Sequence, residues 1–138
     1  DYKALPHATY TSPELASVGL SEKTATERYR DNITILKWPY AENDRARATR
    51  ATKGMVKVIT TKKGLILGAS IVGKSADEIL APWTLAISQG LKISAMANMI
   101  SPYPTLGEIN KRAASSFYTK SLFSDKTKRI VKFLSFLG

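Results

Sequence analysis

The sequence has no cysteine among its 138 residues. That excludes disulfides, thiolate metal sites, iron–sulfur ligation, a cysteine nucleophile and a redox dithiol within this chain. Histidine is nearly absent as well. His7 is the only one, so most histidine-based metal sites fall away and any Ser–His–Asp arrangement depends on one residue close to the first. No apolar run is long: Ile79 to Ile93 is broken by Pro82, Gln89, Gly90 and Lys92, whereas a membrane-spanning helix needs about 20 apolar residues. The opening residues Asp1-Tyr2-Lys3-Ala4-Leu5-Pro6 show neither a secretory signal nor an initiator methionine. The expectation is a soluble cytoplasmic domain cut from a longer chain, with no stable membrane insertion. Acidic residues are the last shortage, 11 against 21 basic ones, for a net charge of +10.

What is present is ordinary globular composition, 43% apolar and 23% charged, in a length suited to one domain. The charge is uneven. Residues 1–109 carry 14 basic and 10 acidic side chains, whereas residues 110–138 carry 7 and 1. The excess therefore gathers in Lys111, Arg112, Lys120, Lys126, Lys128, Arg129 and Lys132. Such a segment suits a nucleic acid or an anionic surface, but equally a solvated face or an acidic partner, and no base-reading motif accompanies it.

Alternation predicts a strand over His7 to Thr11 that ends at Ser12-Pro13. Ser21 is placed to cap a short polar helix through Arg30. Ile33 to Trp38 reads as a strand stopped by Pro39. Gly54 to Thr61 and Leu65 to Val72 read as an antiparallel hairpin turning at Lys62-Lys63-Gly64. Ser75-Ala76-Asp77-Glu78 has the form of a capping box, opening a helix over 76–89 with Ile79, Leu80, Trp83, Ala86 and Ile87 on one face. Pro82 is expected to kink it, and Gly90 to end it. A shorter helix follows from Ile93 to Ile100. Thr105-Leu106-Gly107-Glu108 forms a second capping box before a helix to about Tyr118, and Ser124-Asp125 caps a last basic, apolar-faced helix. Hairpin-linked strands followed by a block of helices give an α+β fold, an antiparallel sheet of about four to five strands packed against helices.

Few segments offer chemistry. Gly68 to Ser75 satisfies the phosphate-loop pattern G-x-x-x-x-G-K-[ST]. Its middle includes Ile71 and Val72, stiff β-formers, and no later aspartate follows an apolar strand to hold Mg²⁺. It reads as a strand end followed by a helix start. His7 has no carboxylate or second histidine near it and reads as a strand or surface residue. Arg45, Arg47 and Arg50, near Lys53, suit phosphate recognition, but their spacing is more often that of a solvated edge. Tyr103 stands between two prolines and admits two readings: an aromatic plug at a rigid corner, which the residues alone favour, or a side chain that fixed backbone presents to a ligand.

Three segments in register resemble one family. Thr9-Tyr10-Thr11-Ser12-Pro13-Glu14-Leu15-Ala16-Ser17-Val18-Gly19-Leu20 is similar to the opening of the C-terminal dimerisation domain of flavin-dependent pyridine nucleotide–disulfide oxidoreductases. Ile66-Leu67-Gly68-Ala69-Ser70-Ile71-Val72-Gly73 with Ala76-Asp77-Glu78-Ile79, and Pro104-Thr105 with Glu108, resemble its later motifs. The resemblance covers about residues 6 to 118 and extends to the lipoamide-dehydrogenase-like and mercuric-reductase-like members. It implies residues 1–120 as a homodimerisation domain, and the basic amphipathic helix read over residues 121–138 is expected to pack on it or on its partner. It also implies a parent oxidoreductase with FAD and NAD(P) domains, no cofactor bound to this domain alone and no activity of this domain alone. In the family a His-Pro-Thr loop is lent to the partner subunit's flavin, its histidine acting as acid–base catalyst oriented by a glutamate.

The resemblance therefore points to Tyr103 and Glu108 as catalytic-site residues and to Tyr103, Pro104 and Thr105 as the loop that meets the cofactor. Tyr103 stands where the histidine belongs, and a phenol of ordinary pKa about 10 is a poor base at neutral pH. A tyrosine here is similar to the mercuric reductases, but those end in a cysteine pair that this chain lacks. The resemblance further implies a cis Tyr103–Pro104 bond and a homodimer contact using the 76–89 helix, the Tyr103 loop and the 105–118 helix, with Trp83 and Phe117 as apolar surplus. The alternative is a basic α+β module that binds nucleic acid or an anionic surface. Filter binding to short duplex DNA and single-stranded RNA separates the two. A dimerisation domain is expected to show no micromolar binding at physiological salt, whereas such binding with a steep salt slope would establish the basic module.

Overall fold

The computed structural model describes residues 2–122. The last helix read from Ser124-Asp125, and with it most of the basic segment, lies outside the described residues. Five strands alternate with short and long helices: β1 (His7–Thr9), β2 (Glu14–Gly19), α1 (Glu22–Tyr29), β3 (Ile33–Pro39), α2 (Asp44–Ala48), β4 (Met55–Thr61), β5 (Ile66–Gly73), α3 (Ala76–Ser88), α4 (Ile93–Ala97) and α5 (Glu108–Leu122). The strands form one sheet in the order β1-β2-β5-β4-β3, every neighbouring pair antiparallel. This is the expected α+β arrangement.

The β4–β5 hairpin is its centre. Val58 faces Ala69 and Val56 faces Ile71 across the ladder, and all four side chains are buried. They join Ala16, Val18 and Leu36 in one core with Ile79, Trp83, Ile93, Ile109 and Ala113, so α3, α4 and α5 cover one face of the sheet. Ala25 of α1 packs on Ile59 and Leu67 in a second, smaller cluster. Burial on this scale is the main stabilising term, about 25 cal/mol per Å² of apolar surface removed from water.

Asn110 ties the two long helices together inside the main core. Trp83, wholly buried, donates from Nε1 to Asn110 Oδ1 at 2.7 Å. Asn110 Nδ2 in turn donates to the Ile79 carbonyl at 2.8 Å. Trp83 is thus part of the domain's own core, and Phe117 is half-buried against it. The expectation that these two aromatics are surplus for a dimer contact is corrected: the Trp83 indole is buried in its own domain, where its N–H already has an acceptor in Asn110.

Several local readings are corrected too. The first strand stops at Thr9, and a full strand, Glu14–Gly19, follows a cis Ser12–Pro13 bond. Ser75 does not close a capping box; it sits in a left-handed conformation (φ 56°) with no side-chain cap bond. The helix it precedes runs unbroken through Pro82, and Gly90 follows its end at φ 62°. The helix from Ile93 ends at Ala97, and α5 extends to Leu122. The phosphate-loop letters, by contrast, are the expected strand end: Gly68 to Gly73 lie within β5. The two glycines answer to packing, since a Cβ on Gly68 would run into the Leu20 carbonyl and one on Gly73 would meet the Tyr40 ring at 2.5 Å.

Removing the Asn110 side chain leaves the Trp83 N–H buried without an acceptor, a loss of about 1–3 kcal/mol. Asn110→Ala is expected to lower unfolding free energy by that amount in urea titration. A change below about 0.5 kcal/mol, the size of an ordinary surface substitution, would show that Asn110 does not bridge the helices.

Candidate functional site

The segment between α4 and α5 cannot continue either helix. Pro102 and Pro104 lack backbone donors, and the Tyr103–Pro104 bond is cis. The loop closes on itself through Thr105, whose Oγ1 donates to the Pro102 carbonyl at 2.7 Å. That hydroxyl is therefore engaged in the turn, and the expected capping box from Thr105 to Glu108 does not form. Helix α5 starts at Glu108 instead.

A second element holds the loop. Asn43 is the N-cap of α2, its Oδ1 accepting from Ala46 N at 2.9 Å. The same side chain, only 1% exposed, donates from Nδ2 to the Thr105 carbonyl at 3.1 Å. The next residue reaches the tyrosine: Tyr103 Oη donates to Asp44 Oδ2 at 2.7 Å. This five-residue helix escaped the sequence reading, where only its arginines were noted. The signal was there in Asn43-Asp44, an N-cap residue followed by a first-turn acid.

Tyr103 is 66% exposed. It is not a plug in its own core, so the corner reading is set aside. Its hydrogen bond to Asp44, then the Asp44 charge, raise the phenol pKa above its ordinary value, while Arg112 opposes the shift. The hydroxyl is held protonated, which removes it further from service as a general base. Glu108 lies on the same side. It is 9% exposed, and its Oε1 accepts from Arg112 Nε at 2.8 Å, one turn along α5. Tyr103 and Glu108 line one cavity of about 360 Å³ with Ser101, Lys111, Arg112 and Ser115. The close partner of each is another residue: Asp44 for the phenol, Arg112 for the carboxylate. The expected orienting pair is thus brought to one cavity without a hydrogen bond between its members.

Pro104 and Thr105 turn to the other side, where they line a larger cavity of about 620 Å³ with Ile79, Pro82, Met99 and Ile100. Ile100 is 94% exposed. His7 lies on the exposed edge strand β1. Arg50 and Lys53 line a third cavity, of about 450 Å³, while Arg45 lines the 620 Å³ one. Among the described residues no three His, Asp or Glu side chains are grouped to hold a metal ion, and no helix is long and apolar enough to cross a membrane. The chain also has no glycine-rich dinucleotide turn, since Gly68 and Gly73 are sheet residues.

Known proteins are similar to this chain in sequence and fold. The family described as "Pyridine nucleotide-disulphide oxidoreductase, dimerisation domain" matches residues 5–114. A dihydrolipoyl dehydrogenase of Bacillus subtilis (strain 168) is 43% identical over 115 residues, 83% of this chain and 24% of that protein. That of Thermus scotoductus is 34% identical over 119 residues, 86% of this chain and 26% of that protein. Among solved structures, the HOCl-induced flavoprotein disulfide reductase RclA from Escherichia coli superposes with a TM-score of 0.75 at 27% identity, over 80% of this chain and 26% of that one. LpdA from Mycobacterium tuberculosis, at 22% identity and a TM-score of 0.76 over 84% of this chain and 25% of that one, shares the fold. The chain spans about a quarter of the length of the relatives it matches. It belongs to the pyridine nucleotide–disulphide oxidoreductase family and is that family's dimerisation domain.

Proposed function

We propose that the chain is the homodimerisation domain of an FAD-dependent NAD(P)H oxidoreductase and presents the Tyr103-Pro104-Thr105 loop to the flavin site of the partner subunit. The observation that carries this reading is the exposure of the loop and its flank. An isoleucine 94% exposed and a tyrosine 66% exposed stand a few residues apart on one corner, and an apolar corner of this kind suits a surface that a partner covers. The redox chemistry belongs to groups outside this chain, which has no cysteine. Tyr103 contributes a positioned hydroxyl, Pro104 and Thr105 fix the backbone that carries it, and Glu108 with Arg112 lines the neighbouring cavity.

The contact is isologous, each copy offering the same corner around a two-fold axis. Sedimentation of the 138-residue chain at tens of micromolar is expected to show a dimer that Ile100→Asp weakens. A wild-type monomer at that concentration would count against self-association. In the parent enzyme, Tyr103→Phe is expected to change ligand binding or flavin reoxidation while changing domain stability by less than about 0.5 kcal/mol, as for exposed sites in general. Unchanged kinetics together with a stability loss above about 1 kcal/mol would make Tyr103 a structural residue.

A further inference from the structure

A phenol has one proton to give and lone pairs to receive with. In this loop the proton is already given, to Asp44 Oδ2 at 2.7 Å, a short contact of the kind made to a carboxylate. We propose that Asp44 is the positioning residue of Tyr103 and fixes its ligand class: the phenol meets its ligand as an acceptor, so the group placed against it is an N–H, O–H or S–H donor rather than an anion. This rests on the reading that the loop faces a ligand, and it deepens that reading.

The geometry behind it rests on a buried anchor. Asp44 opens α2, and the residue before it both caps that helix and grips the Thr105 carbonyl. Carboxylate and loop backbone are therefore set by one anchor, the Asn43 amide, which is 1% exposed. Tyr103 is 66% exposed, and its Oη keeps a lone pair that the bond to Asp44 does not use. The charged groups around the phenol are Asp44 from α2 and Glu108, Lys111 and Arg112 from α5. Glu108 is already engaged by Arg112 Nε at 2.8 Å, which leaves the Asp44 carboxylate as the charge in direct contact with the hydroxyl. An incoming anion would meet an oxygen with no proton to offer and a carboxylate beside it. A donor would find an acceptor whose basicity that same carboxylate strengthens.

The test uses the 138-residue chain with ring-¹³C tyrosine, the Tyr103 signal assigned by its loss in Tyr103→Phe. In pH titration Asp44→Asn is expected to move the Tyr103 midpoint down toward the ordinary phenol value, and Asp44→Glu to restore it. Ethylammonium chloride is expected to shift the wild-type Tyr103 signal more than sodium acetate at equal concentration. Asp44→Ala, which frees the proton, is expected to reverse that order. A midpoint in Asp44→Asn equal to wild type, or acetate acting on wild type as strongly as ethylammonium, would overturn the proposal. Native amide dispersion in each variant excludes unfolding as the cause. No flavin is present, so failure here is distinct from failure of the loop-presentation reading, which the sedimentation and kinetic measurements address.

Discussion

Placement of the site rests on the buried pair of hydrogen bonds that meet at Asn110. One side chain accepts from the Trp83 indole and donates to the Ile79 carbonyl, so α5 is fixed against α3 in rotation as well as in distance. Apolar packing alone tolerates sliding between helices of similar volume, whereas a satisfied polar pair in a low-dielectric core has one good geometry. The loop of residues 101–107 ends on α5, two residues before the Asn110 bond is made. Its position is inherited from that bond at one end and from the Asn43 contact at the other. The sheet provides the surface on which α3 and α5 lie, but the polar contacts select where along that surface they stop.

Much of the fold was legible because periodicity is a local property. The β4–β5 hairpin alternates, turns at Lys62-Lys63-Gly64 and places Val56 and Val58 on the core face. Helix α3 repeats its apolar residues at helical spacing, and burial at Ile79, Leu80, Trp83, Ala86 and Ile87 follows that stripe. Strand β2 escaped because its inward residues, Ala16 and Val18, are small and its neighbour Leu15 is 44% exposed, so apolar residues occur on both faces. The two capping boxes failed for a different reason. Their letters describe a helix start in isolation, but Ser75 is turned left-handed where β5 gives way to α3, and the hydroxyl of Thr105 is claimed by the proline loop.

The site was legible in part and only through resemblance. Composition singled out nothing about Tyr103 beyond its two prolines, and the residues alone favoured a buried corner. Family register placed it on a presented loop, and its exposure accords with that. The partner that sets its chemistry could not be read at all. Asp44 lies 59 positions away, in a helix of five residues whose basic side chains drew the attention. Hydrogen bonds across such separations leave no periodic trace, and they are where the character of this site resides. The phosphate-loop letters fall at the opposite extreme: a complete local pattern with no loop, because Gly68 and Gly73 are required by the close approach of Leu20 and Tyr40.

The sheet's two borders have a bearing on aggregation. Backbone groups along the border of a sheet can pair with an incoming strand. Here one border is β1, three residues long, beyond which the chain turns through a cis proline bond. Among the described residues the other border is β3, which carries exposed Lys37 and finishes at Pro39, a residue with no N–H to offer. Neither border gives an incoming strand a long, uncharged template. A three-residue strand and a strand ending in a charge and a proline both offer little to runaway, fibre-forming addition through β-structure.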